Sequence, residues 1–181
     1  MTLLKRFRKA TDGLAAVEFA LILPVMITIL FGLVETSLAL ACRTDVVNVS
    51  SAVADLVAQE ASVTSSDVTN VFSAVNAILY PNDPSTAQIT VTSVIYNTAT
   101  NSLTSGKVDW SCTRGGTKRS KGSIVTLPAN LMTANGSVIV SEINYNYASP
   151  TTQMVIGPIA MANTFYSKPR RVAAIAGPTT C

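Results

Sequence analysis

The sequence contains no histidine. That removes the side chain that most often serves as general base or metal ligand near neutral pH, and it argues against hydrolytic and metal-centred chemistry. Charge is scarce as well. Asp, Glu, Lys and Arg make up 13% of the chain, about half of the ~25% usual in soluble domains. The three cysteines, Cys42, Cys112 and Cys181, show no C-x-x-C spacing, so zinc-ribbon and thioredoxin-like readings fail. The net charge of +3 is already accounted for by residues 1–13, where Lys5, Arg6, Arg8 and Lys9 face Asp12 alone. Residues 14–181 balance at nine basic and nine acidic side chains, which leaves no nucleic-acid footprint. Neither a nucleic-acid partner nor a cofactor is expected.

What the chain does have is one long apolar run. Sixteen uncharged residues lie between Glu18 and Glu35, and further apolar residues on both sides extend the run to 14–41. A helix over those residues is roughly 42 Å long, which suffices for a hydrocarbon core of about 30 Å plus an interface. The basic residues before it predict an N-terminus in the cytoplasm and residues 42–181 outside. Pro24 removes one backbone hydrogen bond and predicts a bend or a loosened turn. Glu18 is the unusual residue: a carboxylate deep in lipid costs on the order of 2.5–3.5 kcal/mol on insertion scales. An amine on a neighbouring helix would offset that cost, whereas snorkelling to the cytoplasmic interface is the plainer account. Glu35 is expected to mark the outer interface.

Beyond the membrane the helix continues to about residue 61. Val46, Val49, Val53 and Leu56 form a narrow apolar stripe. Thr64 and Asp67 have the spacing of a capping box, and Val68, Val71, Phe72, Val75, Ile78 and Leu79 make the core face of a second helix. From residue 86 the period changes to two. Strands are expected at 89–96, with the alternation slipping near Ser93, and around Val108, Trp110 and Cys112. Two more follow at 138–147 and 161–166. Ile139, Ile143, Tyr145 and Tyr147 should share one face of the third. The glycine-rich, basic segment 114–121 lacks a P-loop context and reads as a solvated loop. The fold class is therefore α+β, with a long N-terminal transmembrane helix, a second helix and an antiparallel sheet of about four strands.

The stretch GLAAVEF at 13–19 resembles the processing site of pilins from the tight-adherence (Tad, or Flp) pilus system. AAVEFALILP at 15–24 is similar to the TadE-like minor pseudopilins. WSC at 110–112, EINYNYASP at 142–150, FYSKPR at 165–170 and Cys181 resemble their periplasmic part. The resemblance implies a basic prepilin-type leader at 1–13, a transmembrane helix at 14–41 and an extracytoplasmic pseudopilin domain at 42–181. It implies cleavage by a prepilin peptidase after Gly13, a new amine on Leu14, and assembly roles for Glu18 and Phe19. The chain would sit in a bacterial inner membrane as a single-pass protein with a periplasmic domain, and could enter an extracellular pilus. Its partners would be other Tad pilus subunits and the assembly platform. Phe19 stands where Flp pilins often carry Tyr, and the globular part exceeds that of a major Flp pilin; both features favour a minor subunit.

A structural, non-enzymatic role is thus expected. A membrane-tethered extracytoplasmic enzyme and a binding module that never polymerises are the alternatives, with a Ser–Lys dyad the nucleophile pairing still open. Three cysteine pairings exist. Cys112–Cys181 is favoured because Cys112 lies beside the apolar Trp110 face, whereas Cys42 abuts the membrane end of the helix.

Overall fold

The computed structural model describes residues 13–149 and 157–181. In chain order its elements are helix α1 (Leu14–Ala58), helix α2 (Ser65–Leu79), a 3-10 turn (Pro84–Thr86) and five strands. These are β1 (Gln88–Tyr96), β2 (Ser105–Arg114), β3 (Ile124–Thr126), β4 (Ser137–Tyr147) and β5 (Ile159–Ser167). The class is α+β, as expected, and β3 is a strand too short for its alternation to announce it. The basic cluster of residues 5–9 and Pro150 lie outside the described residues. The chain divides between Ala39 and Leu40 into two compact units.

In the first unit α1 is apolar all round. Leu21 and Leu33 are 73% and 63% exposed, a surface that water disfavours and lipid accepts. Among the described residues α1 is the one helix long and apolar enough to cross a membrane. The helix runs unbroken through Pro24. Thr28 Oγ1 donates to the Pro24 carbonyl at 2.8 Å, and Thr36 and Ser37 donate in the same way to Gly32 and Leu33 at 2.8 and 2.9 Å. Each hydroxyl is satisfied one turn back, as a hydrocarbon environment demands. Glu35, expected at the outer interface, is buried at 8% exposure.

The second unit is a five-stranded antiparallel sheet of order β3-β2-β1-β4-β5. One row across it runs Asn163, Ile143, Ile89, Arg114. Asn163 Nδ2 donates to Ser50 Oγ on α1, and Arg114 donates to the Phe72 carbonyl and to Asn76 Oδ1 on α2 at 2.7 and 3.0 Å. Both ends of the row reach helices, so this face carries the larger core. Val68, Phe72, Val75 and Leu79 bury the inner side of α2, each worth on the order of 1.5–3 kcal/mol relative to exposure. On α1 the buried residues of the second unit are Cys42, Val46, Val49, Ser50, Val53, Ala54, Val57 and Ala58. Leu56, expected in that stripe, is 42% exposed. The packed face instead takes in Ala54, Val57 and Ala58.

The opposite face holds a smaller core of Val94, Val108, Val125, Leu127, Met132, Val138 and Val140. Its presence corrects the expected alternation of β2. Ser93 lies opposite Trp110 but Val94 lies opposite Val108, which leaves Asp109 as an extra residue on β2. This bulge turns Val108 to the far face while Trp110 and Cys112 stay with the helices. Gly106 closes the same strand pair tightly: a Cβ there would meet Val94 Cγ1 at 2.4 Å and the Ile95 carbonyl at 2.8 Å.

Local signals set the element ends. Asp67 N–H donates to Thr64 Oγ1, and Asp67 Oδ2 accepts from the Thr64 N–H at 2.9 Å, a complete capping box. The Thr64 hydroxyl, which donates to Asp67 Oδ2 at 2.7 Å, and then the Thr64 N–H hold the Asp67 carboxyl below its ordinary value. Asn101 and Asn135 adopt φ of 47° and 59° in the turns before β2 and β4.

Candidate processing and assembly site

Gly13 is exposed and immediately precedes α1. Its carbonyl accepts the Val17 N–H at 3.1 Å, so Gly13 stands at the N-cap of the helix and Leu14 is its first residue. A Cβ on Gly13 would meet nothing within 4 Å. The Gly13–Leu14 bond lies at the start of α1.

Leu14 and Glu18 are one turn apart on the same helix face, a spacing that brings side chains together. Leu14 is 61% exposed and Phe19 58% exposed, and Glu18 is exposed as well. Among the described residues Glu18 has no ion-pair partner, and α1 carries no basic residue before Arg43. Chemically, the segment offers one exposed peptide bond, one uncompensated carboxylate and an apolar surface.

The second unit holds the remaining predicted residues. Cys112 and Cys181 are joined in a disulfide, with Cα atoms 5.2 Å apart, while Cys42 is a buried free thiol. Gly13, Leu14, Glu18 and Phe19 are contiguous in α1 and its cap, and the disulfide forms a separate feature of the sheet unit.

Segment 114–121, expected to be solvated throughout, is only partly so. Arg114 reaches α2, and desolvation pushes its guanidinium below the ordinary value. Arg119 makes a two-pronged contact with Glu142, Nε to Oε2 at 3.1 Å and Nη2 to Oε1 at 2.6 Å. Lys118 and Lys121 stay exposed, with Lys121 at 3.3 Å from Asp109. Sequence inspection missed these roles, since each partner lies far along the chain. The one available signal was Glu142 itself, a lone acid within an otherwise uncharged strand.

Beside this segment lies an open polar cavity of about 450 Å³, lined by Gln88, Thr90, Arg119, Glu142, Asn144 and Thr164 among others. Among the described residues no group of His, Cys, Asp and Glu could hold a metal ion. Ser111 Oγ, which faces the lysine-bearing loop, is taken by Thr92 and by the Arg119 N–H at 3.0 and 3.1 Å.

No curated protein and no solved structure matches the chain. A family model described as TadE-like protein matches residues 13–55. Its first residue is Gly13, and it takes in Leu14, Glu18, Phe19 and all but the last three residues of α1. Over that segment the chain is similar to TadE-like proteins.

Proposed function

We propose that this protein is a structural subunit of a Tad (Flp) pilus or a related secretion filament, of the minor pseudopilin kind. It is made with a basic leader, cut between Gly13 and Leu14 by a prepilin peptidase, and held in the inner membrane by the first part of α1. Residues 1–13 face the cytoplasm and the sheet unit faces the periplasm, where it meets other pilus subunits and the assembly platform.

The observation that carries this reading is the coincidence of three features at the start of α1. The TadE-like match begins at Gly13, the helix begins at Leu14, and Glu18 lies one turn inside an exposed apolar surface. A simple anchor needs the apolar surface alone. It has no use for an exposed glycine cap or for an acid that raises the cost of insertion.

N-terminal sequencing of the protein purified from membranes tests the proposal. Cells with an active prepilin peptidase should yield a chain that starts at Leu14, and cells lacking the peptidase should retain the leader. Replacing Gly13 with phenylalanine should block cleavage without disturbing the fold, since the Cβ position is open. A mature chain that retains Met1 in the presence of active peptidase would overturn the processing step. Absence of the cleaved chain from purified pili and from complexes with other pilus subunits would overturn the assembly role.

A further inference from the structure

Residues 175–181 cross β2 and end in the disulfide. Ile175 is fully buried, and its carbonyl accepts the Trp110 Nε1–H at 2.9 Å. The Ala176 carbonyl accepts the Val63 N–H at 2.8 Å, just ahead of α2. Gly177 lies flat on the indole: a Cβ there would stand 2.1 Å from Trp110 Cγ and 2.2 Å from Cδ1. The Thr180 carbonyl accepts from Ser65 Oγ in the first turn of α2, and Cys181 is bonded to Cys112. The segment thus covers Trp110, which is 7% exposed, and ties the N-terminal end of α2 to the sheet.

The fastenings are unequal. Ile175 is buried in the core, so it anchors one end. From Ala176 onward the residues are exposed or half-buried, and they are held by a parallel bridge of Ala176 to Ser62, by the Ser65 hydroxyl on the Thr180 carbonyl, by contact with the indole and by the disulfide. A hydrogen bond at an exposed site adds little net stability, so the covalent bond is what keeps residues 177–181 in place. The two sulfurs also differ in access. Cys112 is buried, whereas Cys181 is exposed.

We propose that residues 176–181 form a redox-releasable strap over Trp110, opened by dithiol reductants through attack at Cys181. A thiolate of the reductant attacks the Cys181 sulfur, forming a mixed disulfide and expelling the Cys112 thiolate, which takes up a proton. The second thiol of the reductant then displaces Cys181 as a free thiol, and the reductant leaves as a disulfide. Two electrons and two protons have entered the protein. The strap can then lift and present the Trp110 face, next to the groove lined by Val68, Phe72 and Thr113. This inference stands on the sheet unit alone and does not depend on the pilus reading.

Trp110 is the chain's single tryptophan, so selectively excited indole fluorescence reads the strap directly. The full chain in detergent should show blue-shifted, poorly quenched emission when oxidised. Dithiothreitol should shift the emission to the red and raise acrylamide quenching several-fold while the far-ultraviolet circular dichroism is kept. Cys181→Ser should behave as the reduced protein without any reductant. Gly177→Val should show the same red shift with the disulfide intact, because its side chain cannot share space with the indole. Emission unchanged by dithiothreitol and in Cys181→Ser would overturn the proposal, since noncovalent contacts would then suffice to hold the strap. Loss of the circular dichroism signal on reduction would also overturn it, by making the disulfide a support of the whole sheet unit.

Discussion

The Arg119 guanidinium donates to both oxygens of the Glu142 carboxylate, through Nε at 3.1 Å and Nη2 at 2.6 Å, and so fastens the 115–123 loop to the middle of β4. The side chains are 37% and 28% exposed, so solvent screens the pair in part. Bidentate geometry places it near the upper end of the range for surface pairs. Arg119→Ala should lower stability by about 1 kcal/mol, and the loss should shrink in molar salt. Denaturant titrations of both proteins at low and high salt check this. Equal stability at low salt would mean that the loop is fastened mainly by the Arg119 N–H to Ser111 Oγ contact.

That contact also marks the limit of what could be read from the chain. Local signals were legible. The capping box at Thr64 and Asp67, the α2 stripe and the inward row Ile139, Ile143 and Tyr145 of β4 are where the spacing put them. Features set by a distant partner were not. The slip near Ser93 was legible in β1 and the register does shift between Ser93 and Val94, but that the extra residue is Asp109 on β2, which turns Val108 to the other face of the sheet, was not. Leu56 looked like a core residue because helical spacing fixes the relative phase of a stripe but not which edge of it meets the sheet. Strand β3 exists because Val125 completes the far core, and three residues carry too little alternation to show this. The Gly13–Phe19 segment was readable for the opposite reason: its glycine, acid and apolar surface lie within seven consecutive residues.

The capping box predicts an acid limit for α2. The Asp67 carboxyl is held below its ordinary value by the hydrogen bonds to Thr64, so the folded state binds that proton less readily than the unfolded one. The associated stability is present above the unfolded value near 3.8 and is lost as pH falls through the lower folded value. Thr64→Ala removes the side-chain partner, and Asp67→Ala removes the titrating group. Both variants should show a shallower loss of stability with acid than the parent, measured as thermal midpoints from neutral pH down to the carboxylate range. Curves parallel to that of the parent would remove Asp67 from the acid response.

The disulfide closes a loop with a sequence separation of 69. In the chain-entropy account that constraint is worth about 4 kcal/mol, most of it from the unfolded state. Cys181→Ser should therefore lower unfolding free energy by an amount of that order while leaving the strands in place. The variant with both Cys112 and Cys181 as serine should lose little more. A loss well under 1 kcal/mol in the single variant would show that the unfolded chain is already compact across this span.

Glu18 is the residue that separates a filament subunit from a plain anchor. The residue is exposed on an apolar helix, so in lipid it must pair with a cation or reach the interface. If it only reaches the interface, Glu18→Gln and Glu18→Val should leave insertion, cleavage and function intact, because removing a charge from lipid is favourable. If it pairs with the Leu14 amine of a neighbouring subunit, each substitution strands that amine when subunits come together. Breaking a buried pair in this way costs about 3–5 kcal/mol, more than a hundredfold in an assembly equilibrium. The expected outcome is selective: normal membrane levels and normal Gly13–Leu14 cleavage, with loss of piliation or of co-purification with other pilus subunits. Cysteines placed next to Leu14 and Glu18 should crosslink between subunits in the wild-type background and fail to do so in Glu18→Val. Full piliation by both variants, with cleavage verified by N-terminal sequencing, would leave Glu18 as a snorkelling residue and place the determinants of assembly elsewhere in the chain.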